Sequence, residues 1–133
     1  MSDDAINPYK ELGVDFDPFG VAVRFNLPFP LAEAFKKFAC AGIDGRVKSR
    51  EQDIKEAVYS VKRTIEYHER GLIQHSKRDI AKIRAVFHKY ESVFGIGYVT
   101  TNAFKCAMLI LHYITTGDVI YLQKIIEEYE NGK

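Results

Sequence analysis

CAMLILHYI, residues 106–114, is apolar on almost every side of a helix. A surface helix carries one apolar stripe, whereas a helix that is apolar nearly all round is buried on most of its surface. The segment therefore belongs either at the centre of a helical bundle or in a subunit interface. Thr100 or Thr101 suits the N-cap of this helix, which runs to Thr115, and Gly117-Asp118 turns the chain after it.

Other helices follow on both sides. Downstream, Ile120, Leu122, Ile125, Ile126 and Tyr129 form the inward face of a fifth and last helix. Upstream, Ile80, Ile83, Phe87, Tyr90 and Phe94 step by three and four, the spacing of a coiled-coil-like seam, in a third helix that begins near Ser76 with Asp79 in its first turn. Gly95-Ile96-Gly97 breaks it. A second helix opens at Ser49, with Gln52 completing a capping-box pattern, and buries Ile54, Ala57, Val58, Val61 and Ile65 before Gly71. The first helix starts at Pro30, follows the stripe Leu31, Ala34, Phe35, Phe38, Ala39, and stops at Gly42. The expected class is all-α, a five-helix bundle over residues 30–133 forming one domain. Residues 1–29 read as an irregular leader in which Asn7-Pro8 and Asp17-Pro18 break any helix. The alternation Val21, Val23, Phe25 suits at most one short strand there.

Composition narrows the setting. Apolar residues make up 47% and charged residues 28%, ordinary for a globular protein with a real core. No apolar run approaches the roughly 18 residues of a membrane span, and the acidic start MSDDAINPYKELG is not a secretory signal. Cys40 and Cys106 stand mid-helix in apolar surroundings and read as reduced, buried hydrophobes of a cytoplasmic protein. Charge is uneven. Residues 1–20 carry five acids and one Lys, residues 46–90 twelve Lys/Arg against six acids, and residues 118–133 four acids and two Lys. A basic middle between acidic ends points to an anionic partner, an acidic protein or a nucleic acid. The cations that would meet it, on the second and third helices, are Lys62, Arg63, Arg70, Lys77, Arg78, Lys82, Arg84 and Lys89.

Ala-Phe-Lys occurs twice, at 34–36 and 103–105. Each copy opens a helix–Gly–turn–helix unit, and both units close on Ile-Glu-(Glu)-Tyr, which suggests two degenerate helical hairpins joined by the third helix. The first unit also resembles a short helical domain of tailed phages, of unassigned role, found too in the nucleotide kinase of short-tailed coliphages. The resemblance rests on Ala32-Glu33-Ala34-Phe35-Lys36-Lys37, Cys40-Ala41-Gly42, Gln52-Asp53-Ile54-Lys55-Glu56-Ala57 and Tyr59, with Thr101-Asn102-Ala103-Phe104-Lys105 in the second unit, and covers about a third of the chain. Cys40 stands where the family pattern has Arg, and Glu33 where it has Asn. The resemblance implies a phage or mobile-element origin and nucleotide-related work, and it carries over no catalytic residue.

Lys36 and Lys105, read as lying in first helical turns, with the amides of Thr101 and Asn102, form a candidate phosphate site at helix N-termini. There is no G-x-x-x-x-G-K-[ST] loop and no nucleotide-binding G-x-G-x-x-G unit. His68, His75, His88 and His112 have no ligand spacing, so neither a metal nor a cofactor is expected. Arg63 and His68 have the Arg-x4-His spacing of helical-bundle ribonucleases but lie about 140° apart around the helix. The favoured expectation is a non-catalytic, self-associating binding or regulatory protein, paired through its fourth helix or the 21–25 strand. A nucleotide-handling protein is the alternative and a ribonuclease the lower one.

Overall fold

A computed structural model describes residues 10–41, 50–75 and 80–131. These residues are all-helical. A 3-10 turn (Lys10–Leu12) precedes α1 (Pro18–Arg24), α2 (Phe29–Ala41), α3 (Arg50–Glu69), α4 (Ile80–Phe94), α5 (Ile96–Val99), α6 (Asn102–Thr116) and α7 (Ile120–Ile126), which ends in a π-turn, Glu127–Asn131. Among the described residues seven α-helices stand where five were expected, because the segment read as irregular with a short strand and the Gly95-Ile96-Gly97 break each lead into a short helix. The Ser49 cap, the Ser76 start with Asp79, and the cations Lys77 and Arg78 lie outside the described residues.

The 21–25 segment is corrected from strand to helix. Asp17 does not break the chain; it starts α1. Its Oδ1 accepts a hydrogen bond from the Gly20 amide at 2.8 Å, and Pro18 occupies the first turn, where its missing N–H costs nothing. Val21 and Phe25 are buried one turn apart, while Val23 faces solvent. The alternation therefore reflects i, i+4 spacing with one exposed residue between. Gly20 is required, since a Cβ there would lie 2.0 Å from the Val14 carbonyl oxygen of the preceding turn. Asn26, at φ 54, takes the left-handed conformation that ends the helix, and the Leu27 amide closes back onto the Ala22 carbonyl at 3.0 Å.

The centre is built from α2 and α6, the two helices that carry Ala-Phe-Lys, with α3 against α2 and α7 against α6 and α3. Phe35 and Phe104 are fully buried and converge on one ring, Tyr90 of α4, at centroid distances of 6.5 and 5.5 Å. α6 begins and ends as its sequence predicts. Thr101 Oγ1 accepts from the Phe104 amide at 3.2 Å, and Gly117, at φ 77, returns its amide to the Tyr113 carbonyl at 2.7 Å. Burial of Ile110, Leu111, Tyr113 and Ile114 within their own chain puts α6 at the bundle centre.

Side-chain bonds tie the outer helices down. Lys37 of α2 reaches Glu56 of α3 at 2.9 Å and Glu33 at 3.7 Å. The Tyr98 hydroxyl of α5 donates to the Ala39 carbonyl in the last turn of α2 at 3.0 Å. At the far end of α3, His68 Nδ1 and the Tyr113 hydroxyl share a 2.8 Å hydrogen bond, with the His75 ring edge-on to Tyr113 at 4.9 Å. The π-turn brings Tyr129 onto Phe38, rings stacked at 5.9 Å, and lets its hydroxyl bond the Cys106 thiol.

Candidate functional site

The expected coiled-coil seam of α4 is only half used. Ile83 and Tyr90 are buried, but Ile80 is 50% exposed and Phe87 is half-buried. Positions 80, 83, 84 and 87 form one wall of an open groove of about 430 Å³, and 105, 108, 109 and 112 of α6 form the other. Both walls step i, i+3, i+4, i+7, so each presents one face of a helix over two turns, roughly 10.5 Å. Ile80, Ile83 and Phe87 with Met108 and Leu109 make the lining almost wholly apolar, and Val99 and Phe104 complete it. Phe87 meets Phe104 at 5.9 Å, which joins the groove to the aromatic cluster beneath.

Two cations flank this apolar floor, Arg84 on α4 and Lys105 on α6. Both are exposed, and neither has an ion pair among the described residues. His112, on the Lys105 wall, is half-buried and stacks on Tyr121 of α7 at 5.5 Å; burial holds its imidazole below the usual histidine range. The groove thus unites Arg84, expected on a basic face, with Lys105, expected at a phosphate site.

Of the eight cations expected to share a face, the six that lie in the described residues do not share one. Lys62 bonds Glu130 of the π-turn at 2.6 Å. Arg63 donates to the Tyr67 hydroxyl at 2.8 Å, stands over that ring, and pairs with Glu66 at 3.5 Å. Both are turned to partners in their own chain. Arg70 is exposed just past the end of α3. On α4, Lys82 and Lys89 are seven residues apart and share one side, whereas Arg84 points about 150° away, toward the groove.

The phosphate arrangement also comes apart. Lys36 lies about two turns inside α2, with its Nζ 5.6 Å over the Phe19 ring, so it is not in a first turn. The Thr101 amide already donates to the Tyr98 carbonyl at 3.1 Å, and the Thr101 hydroxyl donates to that carbonyl at 2.8 Å while capping α6. Asn102 is exposed at the first position of α6. Arg63 and His68 face no common cleft, since His68 turns in against Tyr113 and Arg63 turns along its own helix.

Other reactive side chains are quiet. Burial pushes the Cys106 thiol up to about 12, against the opposing pull of the Tyr129 hydroxyl, so it is no nucleophile near neutrality. Cys40 is buried and free of any disulfide. Burial likewise raises the Tyr113 hydroxyl to about 12, and the His68–Tyr113 bond acts as a clip between α3 and α6. Among the described residues no group of three His, Cys, Asp or Glu could hold a metal ion, and no helix is long and apolar enough to cross a membrane.

The groove itself was not foreseen from the sequence. The signal that marks it is the seam of α4 running past the residues available to cover it, with Met108 and Leu109 left half-exposed on a helix that otherwise buries its apolar residues. Comparison with protein-family models, with curated proteins and with solved structures finds no match to this chain.

Proposed function

We propose that this chain is a non-catalytic binding module that engages an acidic partner protein over the α4–α6 face. One observation carries the reading: Arg84 and Lys105 stand on opposite sides of an apolar groove, and no ion pair to a described residue neutralises either. Charges placed round an apolar patch set partner choice and on-rate, while the apolar floor supplies affinity. The groove is too apolar for a nucleic-acid backbone, which needs a row of cations. Occupied groups at Thr101 and the position of Lys36 weaken the nucleotide alternative, and the divergence of Arg63 and His68 weakens the ribonuclease.

The test is affinity capture from the source cell with wild type, Arg84→Glu/Lys105→Glu, and Lys62→Glu/Arg63→Glu as control. An acidic protein retained by wild type and the control, lost by the groove variant and released by about 0.5 M salt is the expected result. Equal capture by all three refutes the proposal.

A second surface supports self-association. Phe19, Val23 and Phe29 are 70%, 78% and 76% exposed on the α1–α2 hairpin. Asp15 and Asp17 stand at the start of α1 and Arg24 at its end, so an antiparallel copy would bring opposite charges together. Sedimentation should show a concentration-dependent dimer that Phe19→Glu/Val23→Glu abolishes. A monomer at every concentration refutes it.

A further inference from the structure

The α4–α6 groove runs along about two helical turns of each wall, and we infer that its occupant is a short amphipathic helix of the partner, apolar on one face and acidic along both edges. This inference rests on the acidic-partner reading and specifies its form. Three features lead to it. The α4 wall keeps a coiled-coil-like spacing, yet among the described residues no helix is seated on its knobs at 80 and 87 across the groove opening. The facing wall repeats the same spacing at 105, 108, 109 and 112, so the two together form the trough into which a third helix lays i, i+3/i+4, i+7 anchors. Both walls span about two turns, which matches three anchors.

Charge selects the sign of the edges. Arg84 lies on the α4 side and Lys105 on the α6 side, so a helix lying between them meets a cation on each flank. Glu or Asp one position outside the apolar stripe would reach both. A helix with basic edges would be repelled at both, which excludes the commoner basic amphipathic helix. Met108 suits such a site, because an unbranched thioether side chain repacks around anchors of different shape. A fatty acid is a poorer fit: the groove is open along its length, and a single carboxylate would use one of the two cations.

The experiment is a selection from displayed random 14-residue peptides on the full chain. Enriched peptides are then titrated by isothermal calorimetry and by amide shift mapping. The expected peptides carry large apolar residues at i, i+3 or i+4, and i+7 with Asp or Glu on both flanks. They become helical on binding, and they shift amides within 80–87 and 104–112. Arg84→Glu/Lys105→Glu should weaken them at least tenfold, and peptides with Lys at the flanking positions should recover binding to that variant. Ile80→Asp, at a half-exposed position that does not threaten folding, should also weaken binding at least tenfold.

No enrichment, extended or basic peptides, shifts outside the groove, or indifference to these variants overturns the inference. So does palmitate if it gives the same shifts more tightly than any peptide, and so do groove shifts that depend on protein concentration alone, which would put a second copy there. If the captured acidic protein still requires Arg84 and Lys105 while no helical peptide is enriched, the acidic-partner reading stands and only the helical occupant falls.

Discussion

Tyr90 and Tyr98 stack at 6.2 Å in the cluster beneath the groove, and removing their hydroxyls should shift stability in opposite directions. Both phenols are buried, and burial raises both hydroxyls far above the ordinary tyrosine value. Their partners differ. The Tyr98 hydroxyl donates to the Ala39 carbonyl at 3.0 Å. Ala39 lies in the last turn of α2, where carbonyls lack an intrahelical donor. Tyr98→Phe therefore deletes a hydrogen bond and strands a buried acceptor, at a cost of roughly 1–3 kcal/mol. Among the described residues the Tyr90 hydroxyl has no hydrogen-bond partner. Burying an unpaired hydroxyl costs about 1–3 kcal/mol by mutational measures, so Tyr90→Phe should be neutral or stabilising by up to that amount. The ring remains in both variants, so the contacts with Phe35, Phe94 and Phe104 are kept.

Urea unfolding followed by far-UV circular dichroism separates the two. The m-values should match wild type, with the midpoint lower for Tyr98→Phe and equal or higher for Tyr90→Phe. For a chain of this size about 1 kcal/mol moves the melting temperature by roughly 3–5 °C, so the variants should lie several degrees apart. A loss of more than about 1 kcal/mol in Tyr90→Phe would show that its hydroxyl has a partner and refute the reasoning. Equal losses in both would refute the role given to the Ala39 carbonyl.

Two further outcomes follow from the charges. Burial works against the Lys37 ammonium, but the hydrogen bond and charge of Glu56, with Glu33 and the buried Asp53, outweigh it and raise its pKa, so Lys37→Met should cost about 1–2 kcal/mol by chemical denaturation. Lys62→Ala, which breaks an exposed pair with Glu130, should cost under about 0.5 kcal/mol; the reverse order would mean the α2–α3 tie has been misjudged. His112 is held below its unfolded value by burial, so the unfolded chain binds the extra proton first and its contribution to stability falls as pH drops through and below about 6.5. The difference in unfolding free energy between wild type and His112→Gln, measured from pH 7.5 to 5, should change in that direction, and a flat difference would show that its burial carries no linkage.

The long helices were legible because each repeats its signal several times and carries a local punctuation mark. Thr101 and Gly117 bound α6 at the residues its sequence singled out, and the apolar run between them is buried as its composition demands. The short helices were not legible, because a single turn of helix and a short strand share a pattern. Val21, Val23 and Phe25 fit both, and the deciding facts are tertiary: the Asp17 cap and the Val14 carbonyl pressed onto Gly20.

The site failed to show for a related reason. A count of cations along 46–90 carries no angular information, so it could not tell Lys62 and Arg63, turned to Glu130 and Glu66, from Arg84, turned to the groove. The apolar pattern of α4 likewise marks a face that must be covered without saying by what. In a closed bundle that cover comes from the same chain. Here the seam around Tyr90 is covered and the seam around Ile80 and Phe87 is not, and the boundary between them is set by Phe104. Lys105, the next residue, turns outward and begins the second wall. The second Ala-Phe-Lys thus does two jobs in adjacent positions: its Phe closes the core, and its Lys opens the surface that a partner would read.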